Sequence, residues 1–208
     1  MLGFTPPPTG ISHMSHESLR IIREEHQALA AMLRSMALLL AEHRKRGTSP
    51  DFGVLRAMLF YLDEFPERLH HTKESELLFP KVRVRTGDLA DVLDKLDHDH
   101  ERGEQAIRAL EHALLAYEMM GESRREAFEQ ALARYTDAYL SHMRIEEQDV
   151  LPLAQRVLTE ADWNELDAAF ATNRDPLTGH KPEAAYEGLF TRIVNALPAP
   201  LGLGPALG

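Results

Sequence analysis

The chain has 208 residues, no cysteine, 33 acidic against 23 basic side chains and a formal net charge of -10. That balance sets aside nucleic acid and anionic membrane surfaces as partners, because phosphate binding is driven largely by Lys and Arg. The missing cysteines exclude disulfides, thiolate nucleophiles and Cys-ligated zinc or iron–sulfur clusters within this chain.

No stretch approaches the roughly 18 apolar residues of a membrane span, and the start lacks the basic and apolar runs of a secretory signal, so a cytoplasmic location is expected. Residues 1–14 carry Pro6, Pro7 and Pro8 without helical periodicity and read as a flexible leader. From Ser15, Leu19, Ile22, His26, Leu29, Leu33, Met36 and Leu40 recur at steps of three and four, the mark of a helix with one apolar seam. His26 sits inside that seam. A stop at Gly47, with Ser49 as N-cap and Pro50 in the first helical position, opens a second helix whose seam runs Leu55, Leu59, Leu62, His70, Glu74 and Leu77 or Leu78. Pro66 predicts a kink in it, and Pro80 a bend or an end.

The third helix opens near Asp88 and continues through Leu89, Leu93, Leu96, His100, Gly103, Ile107, Leu110, Leu114 and Tyr117. This register puts His100 on the seam and turns His98 roughly 200° away, toward solvent. Ser123 with Glu126 has the spacing of a capping box, and Phe128, Leu132, Tyr135, Tyr139, His142, Glu146 and Leu153 mark a fourth helix. Thr159 to Asp162 cap a short fifth helix with Trp163, Leu166 and Phe170, and a sixth follows from Pro182 with Tyr186, Leu189, Phe190, Ile193 and Val194. The expected fold is all-α: an up-down-up-down four-helix bundle over residues 15–158, one or two extra C-terminal helices in 159–197, and a mobile tail over 198–208.

Two phrases stand out, one from His70 to Pro80 and one from His142 to Pro152, 72 residues apart. In each, a His precedes a Glu by four residues and a Pro by ten. On a helix, i and i+4 share a face, so both side chains reach one point beside it. With His26 and His100 the order is H, HxxxE, H, HxxxE, and the His-to-His spacings are 44 and 42 residues. The two halves repeat one arrangement. A lone His in an apolar seam is more often a core residue than a ligand, and one HxxxE is more often a surface pair. Two carboxylates and four histidines buried in facing seams without a counter-ion would instead cost several kcal/mol, which favours a metal.

The candidate ligands are therefore His26, His70, Glu74, His100, His142 and Glu146, and no residue is given a catalytic role. Imidazole with carboxylate suits iron, manganese or zinc, and six protein ligands around a pair favour octahedral ions. Two non-haem Fe ions with an oxo or hydroxo bridge are the first expectation, with Mn or Zn as alternatives. If Glu74 and Glu146 both bridge, about one open position per ion is left for a small diatomic ligand or a peroxide. His71, about 100° from His70, is expected in an outer layer or exposed, and is a reserve ligand through Glu74 three residues on. Glu104 and Glu147 are expected to be solvated, with acceptance of hydrogen bonds from the ligands as the alternative; Tyr135 and Tyr139 are expected to pack, with hydrogen bonding to a bridging oxygen as the alternative; and His13, His16, His43, His112 and His180 are expected to lie on the surface.

His26, His70-x-x-x-Glu74 with Leu78-Phe79-Pro80, His100-Glu101-Arg102-Gly103, and His142-x-x-x-Glu146 with Leu151-Pro152 together resemble the hemerythrin-like, or HHE cation-binding, domains. The resemblance covers roughly residues 15–158 and implies a four-helix bundle holding a non-haem di-iron centre. Oxygen-carrying hemerythrins use five histidines and two carboxylates, with an extra His one turn away on the third helix; here the corresponding positions are Leu96 and Glu104. The four-His, two-Glu set is more similar to bacterial di-iron proteins linked to iron–sulfur cluster repair under nitric oxide or oxidative stress, whose Cys-containing N-terminal module has no counterpart in this sequence. The implied functions are reaction with or sensing of O2, NO or peroxide, or iron supply. A di-iron enzyme of peroxidase or NO reductase type and a metal-free helical interaction module are the alternatives. Residues 159–197 lie outside the resemblance and are expected to cap the bundle or form a homodimer contact.

Overall fold

The computed structural model describes residues 16–196. The leader 1–14, with His13, and the tail 198–208 lie outside that range. Helix α1 (Glu17–Arg46) ends at Gly47, whose φ of 64° lets its N–H turn back to the Arg44 carbonyl, and His43, Arg44, Lys45 and Arg46 place positive charge on its last turn. Helix α2 spans residues 52–85, α3 is Ala90–Met120, and α4 spans residues 125–157 after a 3-10 turn at Gly121–Arg124. Two shorter helices follow, α5 (Glu160–Phe170) and α6 (Glu187–Ala196). Among the described residues there is no strand, and no helix is long and apolar enough to cross a membrane.

Two caps differ from the sequence reading. Asp51, not Ser49, is the N-cap of α2: its side chain accepts from Val54 N–H at 3.1 Å, and its carboxylate also meets the positive end of the helix dipole. Ser123 caps nothing, and its hydroxyl donates back to the Met120 carbonyl. The 3-10 turn delivers the chain already wound into α4, so no orphan N–H awaits a capping side chain. Thr159 and Asp162 do form a reciprocal capping box at the start of α5.

The sequence repeat extends to the backbone. Each HxxxE pair is followed by a π turn, Glu74–Leu78 and Glu146–Val150, closed by Phe79 N–H to the Glu74 carbonyl and Leu151 N–H to the Glu146 carbonyl. The next residue is Pro80 or Pro152, which has no N–H and crowds the carbonyl four residues back, and a wider turn relieves that clash. Pro66 sits inside a third π segment, Asp63–His70, so its perturbation is a widened turn and the helix continues.

Two apolar clusters fill the bundle. One joins Leu29 to Leu40 of α1, Val54 to Leu62 of α2, Ile107 to Tyr117 of α3 and Phe128 to Met143 of α4. The other joins Leu19, Ile21 and Ile22 to Leu78, Phe79 and Val82, to Leu93 and Leu96, and to Val150 through Ala154. Each helix thus crosses from one cluster to the other in the opposite sense to its predecessor, which is the up-down-up-down topology. Between the clusters every long helix contributes polar side chains.

The C-terminal helices complete both ends. Trp163, Leu166 and Phe170 of α5 join the second cluster, with Asp167 accepting from Ser18 N–H at 2.8 Å and Oγ–H at 2.6 Å. Phe190 and Ile193 of α6 join the first, where Phe190 lies edge-on to Tyr61 and Phe65. Fully burying side chains of this size contributes roughly 1.5–3 kcal/mol each, so both apolar faces are held against the bundle. Between them Asp175 Oδ2 accepts from the buried Tyr61 hydroxyl at 2.6 Å, and burial pushes that carboxyl up to about 6. Tyr61→Phe would leave the oxygen without this donor. It is expected to lower the unfolding free energy by about 1–3 kcal/mol, measured as a lower urea midpoint with unchanged slope.

Candidate metal centre

The polar layer consists of His26 from α1, Glu67, His70, His71 and Glu74 from α2, His100 from α3, and His142 and Glu146 from α4. His26 Nε2 lies 3.2 Å from His70 Nε2, and His100 Nε2 lies 2.9 Å from His142 Nε2. The two carboxylates span these pairs. Glu74 points Oε1 at His70 Nε2 (3.1 Å) and Oε2 at His100 Nε2 (3.6 Å). Glu146 points Oε2 at His26 Nε2 (3.3 Å) and Oε1 at His142 Nε2 (3.2 Å).

Both carboxylates are buried, at 0% and 1% exposure, and none of their four oxygens has a hydrogen bond of acceptable geometry. Charged oxygens left in this state inside a core cost several kcal/mol, and a cation placed among them removes that cost. The donor set fits such an ion. Two overlapping groups have ligand atoms within 4.8 Å of one another: His26, His70, Glu74 and Glu146, and His71, Glu74, His100 and His142. Imidazole and carboxylate donors suit a borderline or hard divalent or trivalent metal such as iron.

All six residues singled out from the sequence lie in these groups. The structure adds His71, which the sequence reading placed in an outer layer or at the surface and kept as a reserve ligand through Glu74. Its neighbours explain the difference. Glu67, His70, His71 and Glu74 are all buried at i, i+3, i+4 and i+7, a stripe two residues wide rather than one line. His71 stacks on His100 with centroids 4.1 Å apart, so a fifth imidazole enters from α2 and not from α3.

Outward-facing ring nitrogens are held by a second layer of acceptors. His70 Nδ1 meets Glu25 at 2.7 Å, His26 Nδ1 meets Glu147 at 2.9 Å, His100 Nδ1 meets Ser75 Oγ at 2.8 Å and His71 Nδ1 meets Glu67 at 3.2 Å. Such partners fix ring orientation and raise the basicity of the inward nitrogen. Glu147 is therefore tied to His26 and not simply solvated, and Tyr135 and Tyr139 do more than pack. Both donate to Glu67 Oε1, the first at 3.0 Å. Glu25 and Ser75 were missed because they lie off the single seams read from the sequence; Glu67 did carry a signal, its helical spacing to His70, His71 and Glu74.

Burial opposes charge throughout the layer. At His70 it is outweighed by Glu74 and Glu25, which hold the imidazole well above its ordinary value. At His142 it is outweighed by Glu146 and Asp99, which raise it to about 10. Burial and His142 together push His100 down to about 3. Burial and Glu146 raise Glu74, while His142 and His26 overcome burial and hold Glu146 well below the usual carboxylate range.

The remaining histidines lie apart. His98 is 54% exposed on its side chain, as the α3 register requires. His43 bonds Thr48, and His112 and His180 are exposed. His16 departs from expectation: it stacks on Trp163 with centroids 4.2 Å apart, because the α1 N-terminus is covered by α5. Glu104 is exposed and pairs with Arg108.

A family model described as hemerythrin HHE cation binding domain matches residues 17–154. No curated protein matches the chain. The matched span contains every residue of the two ligand groups and nearly all of the four long helices, and it covers more than half of the sequence. The chain belongs to the hemerythrin HHE cation-binding domain family.

Proposed function

We propose that this chain is a cytoplasmic non-haem di-iron protein that reacts with or senses O2, NO or peroxide, with His26, His70, Glu74 and Glu146 holding one ion and His71, Glu74, His100 and His142 the other. The observation that carries this reading is the set of four unpartnered oxygens on Glu74 and Glu146, each carboxylate reaching from one histidine pair to the other. An iron pair supplies redox chemistry toward such ligands. The residues supply placement. Glu74, common to both groups, would set the separation of the two positions, the outer acceptors fix the imidazoles, and the two apolar clusters enclose the layer at both ends. Beside His26 and His70, on the Glu25 and Asn173 side, lies a cavity of about 10 Å³ with room for a guest the size of one water.

Metal analysis of freshly purified protein, with its visible spectrum in air and after NO, tests the proposal. About two irons per chain and an oxo-bridged ferric spectrum that NO alters after reduction are expected. No bound metal after anaerobic iron loading would sink it and leave a helical interaction module.

A second reading, a di-iron peroxidase, is favoured by one feature. A groove of about 430 Å³ between α3 and α4 reaches His71, His100 and His142 past Gly103, Ala106 and Ala138. That volume lies within the range of organic-ligand pockets. If the groove admits substrate, Ala138→Trp is expected to abolish sustained turnover of a bulky organic hydroperoxide while leaving reaction with hydrogen peroxide within about twofold, measured by steady-state assay with a reductant.

A further inference from the structure

Past α5 the chain turns back to the ligand layer, at residues beyond the 17–154 family match. Asn173 is 5% exposed there, and its Nδ2 donates to Glu25 Oε2 at 2.9 Å. The same oxygen accepts from His70 Nδ1 at 2.7 Å. Asn173 Oδ1 in turn accepts from Lys73 Nζ, one residue before Glu74. The turn is anchored on both sides, by Phe170 edge-on to His70 with centroids 5.9 Å apart and by Asp175 on Tyr61. Between these anchors Arg174 is held at φ 48°, a left-handed conformation unfavourable for a side chain with a Cβ. Strain of this kind persists where the surroundings over-determine it, and it accumulates at sites with a role.

We propose that Asn173 is a positioning residue for the ion position formed by His26, His70, Glu74 and Glu146. It holds the Glu25 carboxylate against His70 Nδ1–H, which keeps the His70 ring in place with its Nε2 lone pair toward the ion. Without the amide, Glu25 loses a buried donor and is free to turn away from the ring. Among the described residues the other position has no equivalent contact from the C-terminal segment: His71 and His100 are held by Glu67 and Ser75 from within the bundle. The two ions of one chain are therefore retained unequally when Asn173 is altered. This inference rests on the di-iron reading.

The test uses the full chain loaded with iron and follows release to a chelator, together with the electron paramagnetic resonance of what remains. The unaltered chain is measured first; if it takes up no iron, the di-iron reading and this inference fall together. Asn173→Ala is expected to release one of two irons roughly 10–100 times faster, leaving the other at its original rate with a mononuclear signal. Asn173→Asp keeps the shape and the Lys73 contact but offers Glu25 no N–H, so it is expected to behave like Asn173→Ala. Thr172→Ala, which removes the 2.8 Å contact from Lys73 and the hydroxyl's own 2.8 Å bond to the Ala169 carbonyl but leaves the Asn173 amide in place, is expected to release iron as the unaltered chain does. Unchanged release from Asn173→Ala would overturn the inference. So would equal acceleration of both ions, or unaltered behaviour of Asn173→Asp, since either result reduces Asn173 to a packing or Lys73 contact.

Discussion

Glu74→Gln is expected to reduce bound iron from about two per chain to well below one, while the metal-free protein unfolds at about the same urea concentration as before. The two halves of this expectation have one cause. Glu74 is fully buried, its oxygens face His70 at 3.1 Å and His100 at 3.6 Å, and neither oxygen has a hydrogen bond. In the metal-free fold burial and Glu146 raise the proton affinity of Glu74 while His70 lowers it, so a neutral amide of the same shape relieves the buried charge but forgoes the His70 contact, and the two changes oppose each other. In the loaded fold the loss is double, because one carboxylate serves both groups of ligand atoms. With iron at 100 times its dissociation constant, an unaltered site adds about 2.7 kcal/mol of stability, and Glu74→Gln is expected to forfeit nearly all of it. Metal analysis and paired denaturation curves with and without iron check both halves. His98→Ala, on the exposed side of α3, is the control and should leave iron content unchanged. Full iron content in Glu74→Gln would rule out Glu74 as a ligand common to both groups.

Gly103→Ala is expected to destabilise the protein by about 1–3 kcal/mol, although the same change in an ordinary helix interior stabilises by nearly 1 kcal/mol. A Cβ on Gly103 would meet Glu67 Oε2 at 2.6 Å and Oε1 at 2.8 Å. The carboxylate has little freedom to retreat, since it accepts from Tyr135 at 3.0 Å, from Tyr139, and from His71 at 3.2 Å. Burial pushes Glu67 up to about 7 even against its two tyrosine donors. Displacing Glu67 also releases the His71 ring, so iron content should fall along with stability. A double-mutant cycle isolates the contact: in a Glu67→Ala background the clash is gone, and Gly103→Ala should become neutral or stabilising. If its cost is the same in both backgrounds, close approach to Glu67 is not the reason for glycine at this position.

Some of this architecture was legible because it is periodic. Each long helix buries one face against the other three, so the rhythm of Leu19 to Leu40, or of Leu93 to Tyr117, reports a bundle before any coordinates exist. The same rhythm carries His26, His70, Glu74, His100, His142 and Glu146 toward the axis, and it separates His100 from the exposed His98. Pro80 and Pro152 were visible as perturbations, but the backbone could absorb them by ending, bending or widening. It took the π turn in both copies, because the following residues Val82, Leu153 and Ala154 still had a core to join.

What the sequence by itself determined, then, is the fold class, the inward faces and a doubled ligand phrase, all consequences of local helical geometry repeated along the chain. The tertiary structure alone decided that the apolar stripe of α2 is wide enough to include His71, that Tyr135 and Tyr139 serve Glu67, and that Asn173 reaches Glu25 across 148 positions of sequence. Those contacts depend on how helices are rotated and which loops return to them. No period in the chain encodes that, because it is set by the packing of all the helices at once.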